Sequence, residues 1–233
     1  SPVVDVTNYV MMELGQPMHG FDFDKLSGGI RVRLATPGEK LALLDQSEVE
    51  CFADTLLIAD HNGAVALAGI MGGLDSSVQA DTRNIFLEAA HFSAVKLAGK
   101  ARKFGMHTDA SHRFERGVDA QLPPIAIQRA SELLIEIAGG EAGPIIDAVQ
   151  EACMPVSSQV NLRYAQVKRL LGIDVEHDEI GSILQRLNMQ VIENADGWQV
   201  TAPSYRFDIN IEADLIEEIG RLIGYNNIPG SRE

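Results

Sequence analysis

Leu56-Leu-Ile-Ala59-Asp60-His-Asn-Gly63-Ala-Val65-Ala-Leu-Ala-Gly69-Ile70-Met-Gly72-Gly73 is the stretch on which the fold turns. Two short apolar runs, residues 56–59 and 65–70, flank Asp60-His-Asn-Gly, a turn signal between β-type segments. Working outward, residues 29–35 and 84–88 repeat the pattern, with Thr36-Pro-Gly as a further turn. These runs predict a β-rich mixed domain. Three helical periodicities are added to it: residues 3–14, residues 93–104, and residues 125–138, the last stopped by Gly139-Gly140. The class is α+β, without internal repeats or low-complexity tracts.

Beyond that last helix, Gly143-Pro144 and Met154-Pro155-Val-Ser-Ser read as an extended connection. We therefore expect one domain over residues 1–153 and a second over 154–233. The second reads helix (164–171), helix (178–187), hairpin (190–193 and 198–202, around Asn194-Ala-Asp-Gly) and helix (212–223), a small winged-helix-like α/β unit. From Pro155 onward it carries seven basic and twelve acidic residues, net −5. A DNA-reading wing and recognition helix would not be expected to carry that sign.

The 233 residues are 45% apolar and 22% charged, with a mean hydropathy of zero. Those proportions belong to a soluble globular protein and exclude disorder, collagen and a membrane protein. A chain of this length buries roughly 70–75% of the surface its unfolded form exposes. Its longest nearly uncharged apolar run, residues 65–74, falls far short of the ~20 residues that span a bilayer. Cys51 and Cys153 offer neither a disulfide framework nor a zinc set, so a reducing cytoplasm is the expected setting. The opening Ser-Pro-Val-Val-Asp carries no initiator Met and no secretory signal, and we expect a piece of a longer protein. The net charge of −14 argues against general nucleic-acid binding and confines any such contact to a local patch.

One such patch exists. Between Lys96 and Arg116 stand Lys96, Lys100, Arg102, Lys103, Arg113 and Arg116 against Asp109 and Glu115, a local +4. It would steer a phosphate backbone, or it is a solvated helix face; composition does not separate the two. Glu88 closes the apolar run Ile85-Phe-Leu, where water is scarce, so its carboxylate needs either a ligand donor or an internal pair with Arg113 or Arg116. His19, His91 and His112 lack the spacing of a compact metal set. On a helix beginning near Glu212, the carboxylates of Asp214, Glu217 and Glu218 share one face, with Asp208 just upstream. Like charges there repel unless a cation sits among them, either Mg²⁺, which takes hard oxygen ligands, or a basic partner chain; otherwise they are acidic residues favourable at a helix N-terminus.

Asp5-Val-Thr-Asn-Tyr, Gly15-Gln-Pro-Met-His-Gly-Phe-Asp, Leu67-Ala-Gly-Ile-Met-Gly-Gly and Thr108-Asp-Ala-Ser-His-Arg-Phe-Glu-Arg-Gly resemble the central domain of bacterial phenylalanyl-tRNA synthetase beta subunits. Arg206-Phe-Asp-Ile, Glu212-Ala-Asp-Leu-Ile-Glu-Glu-Ile and Gly224-Tyr-Asn-Asn-Ile-Pro resemble the small domain that follows it. The resemblance spans essentially the whole chain. It implies an editing (B3/B4-type) domain that hydrolyses tyrosine mischarged onto tRNA for phenylalanine, with a pocket at Thr7, Asn8, His19, Gly72, Glu88, Thr108 and Ala110. His19, Thr7, Asn8 and Thr108 would hold the ester and a water, with His19 either as base or as orienting group. Glu88 would receive the phenolic proton, and Gly72 and Ala110 would leave room for the ring. A small B5-type domain would offer Asp208, Asp214, Glu217 and Glu218 to a Mg²⁺ shared with the alpha subunit. It also implies a cytoplasmic α₂β₂ assembly whose ATP-dependent ligase site lies on the alpha chain. A non-catalytic tRNA-binding and assembly module is the alternative.

Overall fold

A computed structural model describes residues 1–228 and 230. Two compact units divide between Val149 and Gln150. In the first, the order is α1 (Pro2–Leu14), β1 (Met18–Asp22), β2 (Arg31–Leu34), β3 (Lys40–Ala42), β4 (Glu48–Glu50), β5 (Leu56–Ala59), β6 (Ala64–Leu67), β7 (Met71–Gly72) and β8 (Ile85–Ala89). Then follow α2 (Ala94–Leu97), α3 (Lys100–Lys103), α4 (Asp109–Arg116) and α5 (Pro123–Ala138). The class is α+β, with the hairpin of the opening stretch, β5–β6, at the centre of an antiparallel sheet ordered β2-β5-β6-β7.

Beside that sheet lies a two-stranded antiparallel ribbon, β1–β8, in which His19 stands opposite Glu88 and Phe21 opposite Phe86. Residues opposite each other in such a pair share a face, and their neighbours along the strand take the other. The ribbon therefore has two characters. Met18, Leu87 and Ala89 pack with Val6 and Val10 of α1 and with Ala126 and Ala130 of α5. Phe21 and Phe86 pack on the opposite side with Ile58, Ala66, Phe92 and Phe114. Helix α1 opens on Pro2 and closes on Gly15, which adopts φ +84, the left-handed stop that a helix end favours.

The single helix expected over 93–104 is two short ones. Ala98 leaves the helical region and Gly99 takes φ +71, which breaks the hydrogen-bond ladder where a glycine makes the reversal inexpensive. Helix α4, not foreseen as a helix, begins at Thr108, whose hydroxyl accepts from Ser111 N at 3.0 Å, a side-chain cap on an otherwise orphan N–H.

The second unit runs β9 (Gln159–Arg163), α6 (Tyr164–Leu171), α7 (His177–Arg186), β10 (Gln190–Asn194), β11 (Gly197–Thr201) and α8 (Glu212–Ile223). The hairpin and three helices lie where the periodicity puts them. Strand β9 is additional: it pairs antiparallel with β11 and completes a sheet ordered β10-β11-β9. Its alternate residues Val160 and Leu162 join Ile180, Ile183, Leu184, Trp198, Leu215 and Ile219 in one core. Among the described residues, no helix is long and apolar enough to cross a membrane.

Candidate functional site

The face of the ribbon that bears His19 and Glu88 closes one side of a cavity of about 70 Å³. Its other walls are Ile58 and Ala66 of the central sheet, Gly72 of β7, and Ala110 and Phe114 of α4. Gln16, fully buried, donates from Nε2 to Ala90 O at 3.0 Å and to Pro17 O at 2.9 Å. That clamp ties the entry of β1 to the exit of β8 beside the two polar residues.

Neither polar side chain has a protein partner among the described residues. The Glu88 carboxylate makes no hydrogen bond or ion pair among the described residues, and burial pushes its pKa up to about 7. Arg113 is engaged instead by Asp109 at 3.3 Å, and Arg116 contacts His112 Nδ1 at 2.9 Å. The internal pair that would have made Glu88 purely structural is thus absent among the described residues. His19 Nε2 is one of three buried side-chain polar atoms among the described residues without a partner. Desolvation lowers the His19 pKa to about 4, so the imidazole is neutral at pH 7. An unsatisfied buried polar group costs about 1–3 kcal/mol, and His19 Nε2 with the half-buried Glu88 carboxyl beside it marks a place where something else completes the bonding.

Gly72 owes its identity to His19. A Cβ built there would stand 2.3 Å from His19 Cε1 and 2.5 Å from Nε2. The room over Gly72 is filled by the imidazole itself, which also meets Phe21 edge-on with centroids 4.4 Å apart. Thr108 does not line the cavity; its hydroxyl is fully used, donating to Ile70 O at 3.0 Å while capping α4. It fixes α4, and so Ala110 and Phe114, against the turn after β6. Thr7 and Asn8 are not brought to these walls. Helix α1 packs on the ribbon's opposite face, the Thr7 hydroxyl donates to Val4 O at 3.0 Å, and Asn8 is exposed. The apolar walls Ile58, Ala66 and Phe114 were not singled out in the sequence; their signal is burial, shared with every core residue.

Of the basic residues, Lys100 and Lys103 both meet Asp54, the latter at 3.4 Å. Lys96 and Arg102 are exposed and have no acidic partner among the described residues. The acidic stretch of the second unit carries its own cations. Arg206 grips Asp208 at 2.9 and 2.7 Å and reaches Glu218 at 3.2 Å, while Arg221 holds Glu218 at 2.5 Å. Asp214 accepts from the backbone N–H of Asn210 and Ile211 at 2.8 and 2.9 Å, a carboxylate at a helix N-terminus. Glu217 is exposed. Among the described residues, no group of three or more His, Cys, Asp or Glu is disposed to hold a metal ion. These carboxylates do not fit a Mg²⁺ site as they stand.

Residues 1–139 match the family model described as the B3/4 domain, and residues 160–225 match that of the tRNA synthetase B5 domain. The phenylalanine–tRNA ligase beta subunit of Pseudomonas syringae pv. syringae is 57% identical over 227 residues, 97% of this chain and 29% of that protein. That of Pectobacterium atrosepticum is 54% identical over 228 residues, 98% of this chain and 29% of that protein. An N-terminal fragment of the phenylalanyl-tRNA synthetase beta subunit from Pyrococcus horikoshii superposes with a TM-score of 0.46 at 16% identity, covering 96% of this chain and 65% of that one. The chain spans 29% of the length of these curated relatives.

Proposed function

The chain belongs to the B3/4 domain family, and from that membership we propose that its first unit hydrolyses tyrosine wrongly esterified to the tRNA for phenylalanine. The observation that carries this reading is the unpaired Glu88 carboxyl beside the unpaired His19 imidazole on one wall of an apolar cavity. A site selecting phenylalanine through an apolar pocket rejects an added hydroxyl only about a hundredfold, whereas a site that bonds the hydroxyl rejects its absence by roughly 10⁴ to 10⁵. Glu88 supplies such a bond. The phenolic O–H donates to its carboxylate, and a phenylalanyl ring leaves that carboxylate buried and unpaired.

His19 then faces the ester end. With a pKa near 4 it is too weak a base to drive proton abstraction efficiently near neutral pH, since a general base works best when its pKa lies near the operating pH. Its part is to hold a water or ribose hydroxyl by hydrogen bonding, and substrate-assisted attack fits that part. Thr108 acts through α4, which it fixes, and Ala110 leaves one wall low. Thr7 and Asn8, expected to hold the ester and a water, stand on α1 on the far side of the ribbon and line no wall of this cavity. A cavity of about 70 Å³ is smaller than the roughly 150 Å³ that holds benzene in a protein core. Entry of the phenol therefore displaces a wall, and Met71, which lines it, has the most adaptable side chain there.

The basic residues lie on α4 and on α2 and α3 just before it. We assign tRNA backbone contact to Lys96, Arg102, Lys103 and Arg116, which are exposed, with Lys100 and Arg113 behind them. The whole-protein context follows by relationship: a cytoplasmic heterotetramer with an alpha chain that carries the ATP-dependent ligase site. Nothing in the proposal passes through Mg²⁺; a shared ion would have to bring the alpha chain's ligands and displace Arg206 from Asp208 and Glu218. The alternative, a non-catalytic binding and assembly module, is favoured by the tightness of the cavity. Incubating the purified chain with tyrosylated and phenylalanylated tRNA for phenylalanine tests both. Faster release of tyrosine supports editing, and retention of both esters leaves only the assembly role.

A further inference from the structure

In the second unit a groove of about 240 Å³ runs between α7 and the β10–β11 hairpin, lined by residues that include His177, Asp178, Gly181, Gln185, Glu193 and Trp198. At its floor lies the chain's sole tryptophan, only 2% exposed. The Trp198 indole N–H donates to no group among the described residues. Its nitrogen edge faces the gap left by Gly181, where an added Cβ would stand 3.6 Å from Nε1. A buried indole N–H normally finds an acceptor, and this one has none among the described residues where Trp198 lines the groove.

The floor around it is aromatic. The His177 ring lies over the indole with centroids 4.2 Å apart, and Tyr164 meets both rings edge-on while donating its hydroxyl to Val175 O at 3.0 Å. The rim is acidic. Glu193 Oε1 comes within 3.6 Å of His177 Nε2 and Asp178 Oδ1 within 3.9 Å of Nδ1. Neither carboxylate has a Lys or Arg partner among the described residues, and no basic side chain other than His177 lines the groove. A phosphate backbone is repelled by such a rim. What fits is a ligand that offers a neutral acceptor to the floor and a positive charge a few ångströms away to the rim.

We propose that this groove docks a basic peptide segment of a partner protein, a backbone carbonyl accepting from the Trp198 indole N–H and an arginine or lysine side chain seated between Glu193 and Asp178. Arginine is the better occupant because its planar fork bonds a carboxylate bidentately. The proposal uses none of the residues of the first unit's cavity and stands or falls apart from editing.

Trp198 is itself the reporter. Titrating the whole chain with N-acetyl-arginine methylamide should change its emission saturably, and the neutral citrulline counterpart should not. Glu193→Gln should weaken the midpoint about threefold, the scale of one exposed charge pair, and added salt should weaken it further. Gly181→Leu should abolish the response by filling the gap; should that variant fail to fold, Glu193→Gln and the salt series carry the test. An equal response to citrulline, no saturable response to the arginine probe, or a response to polyuridylic acid in its place overturns the proposal.

Discussion

Glu88 and Glu218 are the same residue in opposite circumstances. Glu218 lies between two guanidinium groups, and Arg221 followed by Arg206 holds its carboxyl below the usual range. Glu88 has no such partner among the described residues, and burial alone raises its carboxyl to about 7. A buried carboxylate closed by the protein's own cations is structure, whereas one left open beside a cavity is a reserved acceptor. The contrast breaks most visibly at the open one. Removing a hydrogen bond to a charged group costs about 1.5–3 kcal/mol, so Glu88→Ala should erase roughly 10- to 100-fold of the preference for tyrosyl over phenylalanyl ester. Deacylation rates of the two charged tRNAs measure it, and an unchanged ratio refutes the acceptor role. The preference of the unaltered chain should rise with pH through about 7, as Glu88 ionises.

Stability against pH sharpens the same contrast within the cavity. Glu88, raised from 4.5 to about 7, holds a proton that the unfolded chain releases earlier, so its contribution falls as pH rises through that window. His19, lowered from 6.5 to about 4, refuses a proton that the unfolded chain takes up, so its contribution grows between pH 4 and 6.5. The two slopes oppose each other where they overlap and nearly cancel. Glu88→Gln removes one, and the variant's stability relative to the parent should climb by about 2 kcal/mol between pH 4.5 and 7. Urea unfolding across that range reads the difference; a constant offset would mean that Glu88 is solvated.

At the closed site the expected change is smaller and of opposite character. Arg206→Ala leaves Asp208 and Glu218 facing each other with one guanidinium fewer, and should destabilise the second unit by about 1–2 kcal/mol. The figure is discounted because the Arg206 side chain is 20% exposed and that of Asp208 56%. Trp198 fluorescence in urea follows this unit specifically. No loss would mean that the arginine pairs are ornaments of the surface.

The same division explains what the sequence made legible. The β5–β6 hairpin, the long helix α5 and the second unit's hairpin are local patterns, each closed within its own stretch by periodicity and a glycine-bearing turn. Strand β1 is not: Met18-His-Gly-Phe-Asp has no strong alternation, and its partner β8 is more than sixty residues away. Yet that pairing puts His19 opposite Glu88. Strand β9 shows the alternation of Val160 and Leu162, masked by its place after Met154-Pro155-Val-Ser-Ser. Glu88 and His19 could be named from residue type and resemblance, whereas the absence of any arginine beside Glu88 among the described residues is a fact of tertiary packing. For the acidic cluster, the need for a cation among like charges was readable, but its identity was not: Arg206 and Arg221 fill the role within the chain.

That substitution of arginine for a metal makes the last prediction a near-zero one. A ligand that binds only the folded state stabilises it by RT ln(1 + [L]/Kd), about 1.4 kcal/mol at ten times Kd. With Asp208 and Glu218 held by Arg206 and Arg221, and Asp214 by backbone N–H groups, millimolar Mg²⁺ finds no open donor set among the described residues. Adding Mg²⁺ or EDTA should then move the second unit's urea midpoint by less than about 0.3 kcal/mol equivalent, a bound set by the weak screening of exposed pairs. In Arg206→Ala the same addition should recover part of the lost stability, because a cation can then enter between the two carboxylates. A Mg²⁺-dependent rise in the unaltered chain would show instead that the guanidinium yields to the ion without help, and that the cluster is as open as the cavity around Glu88.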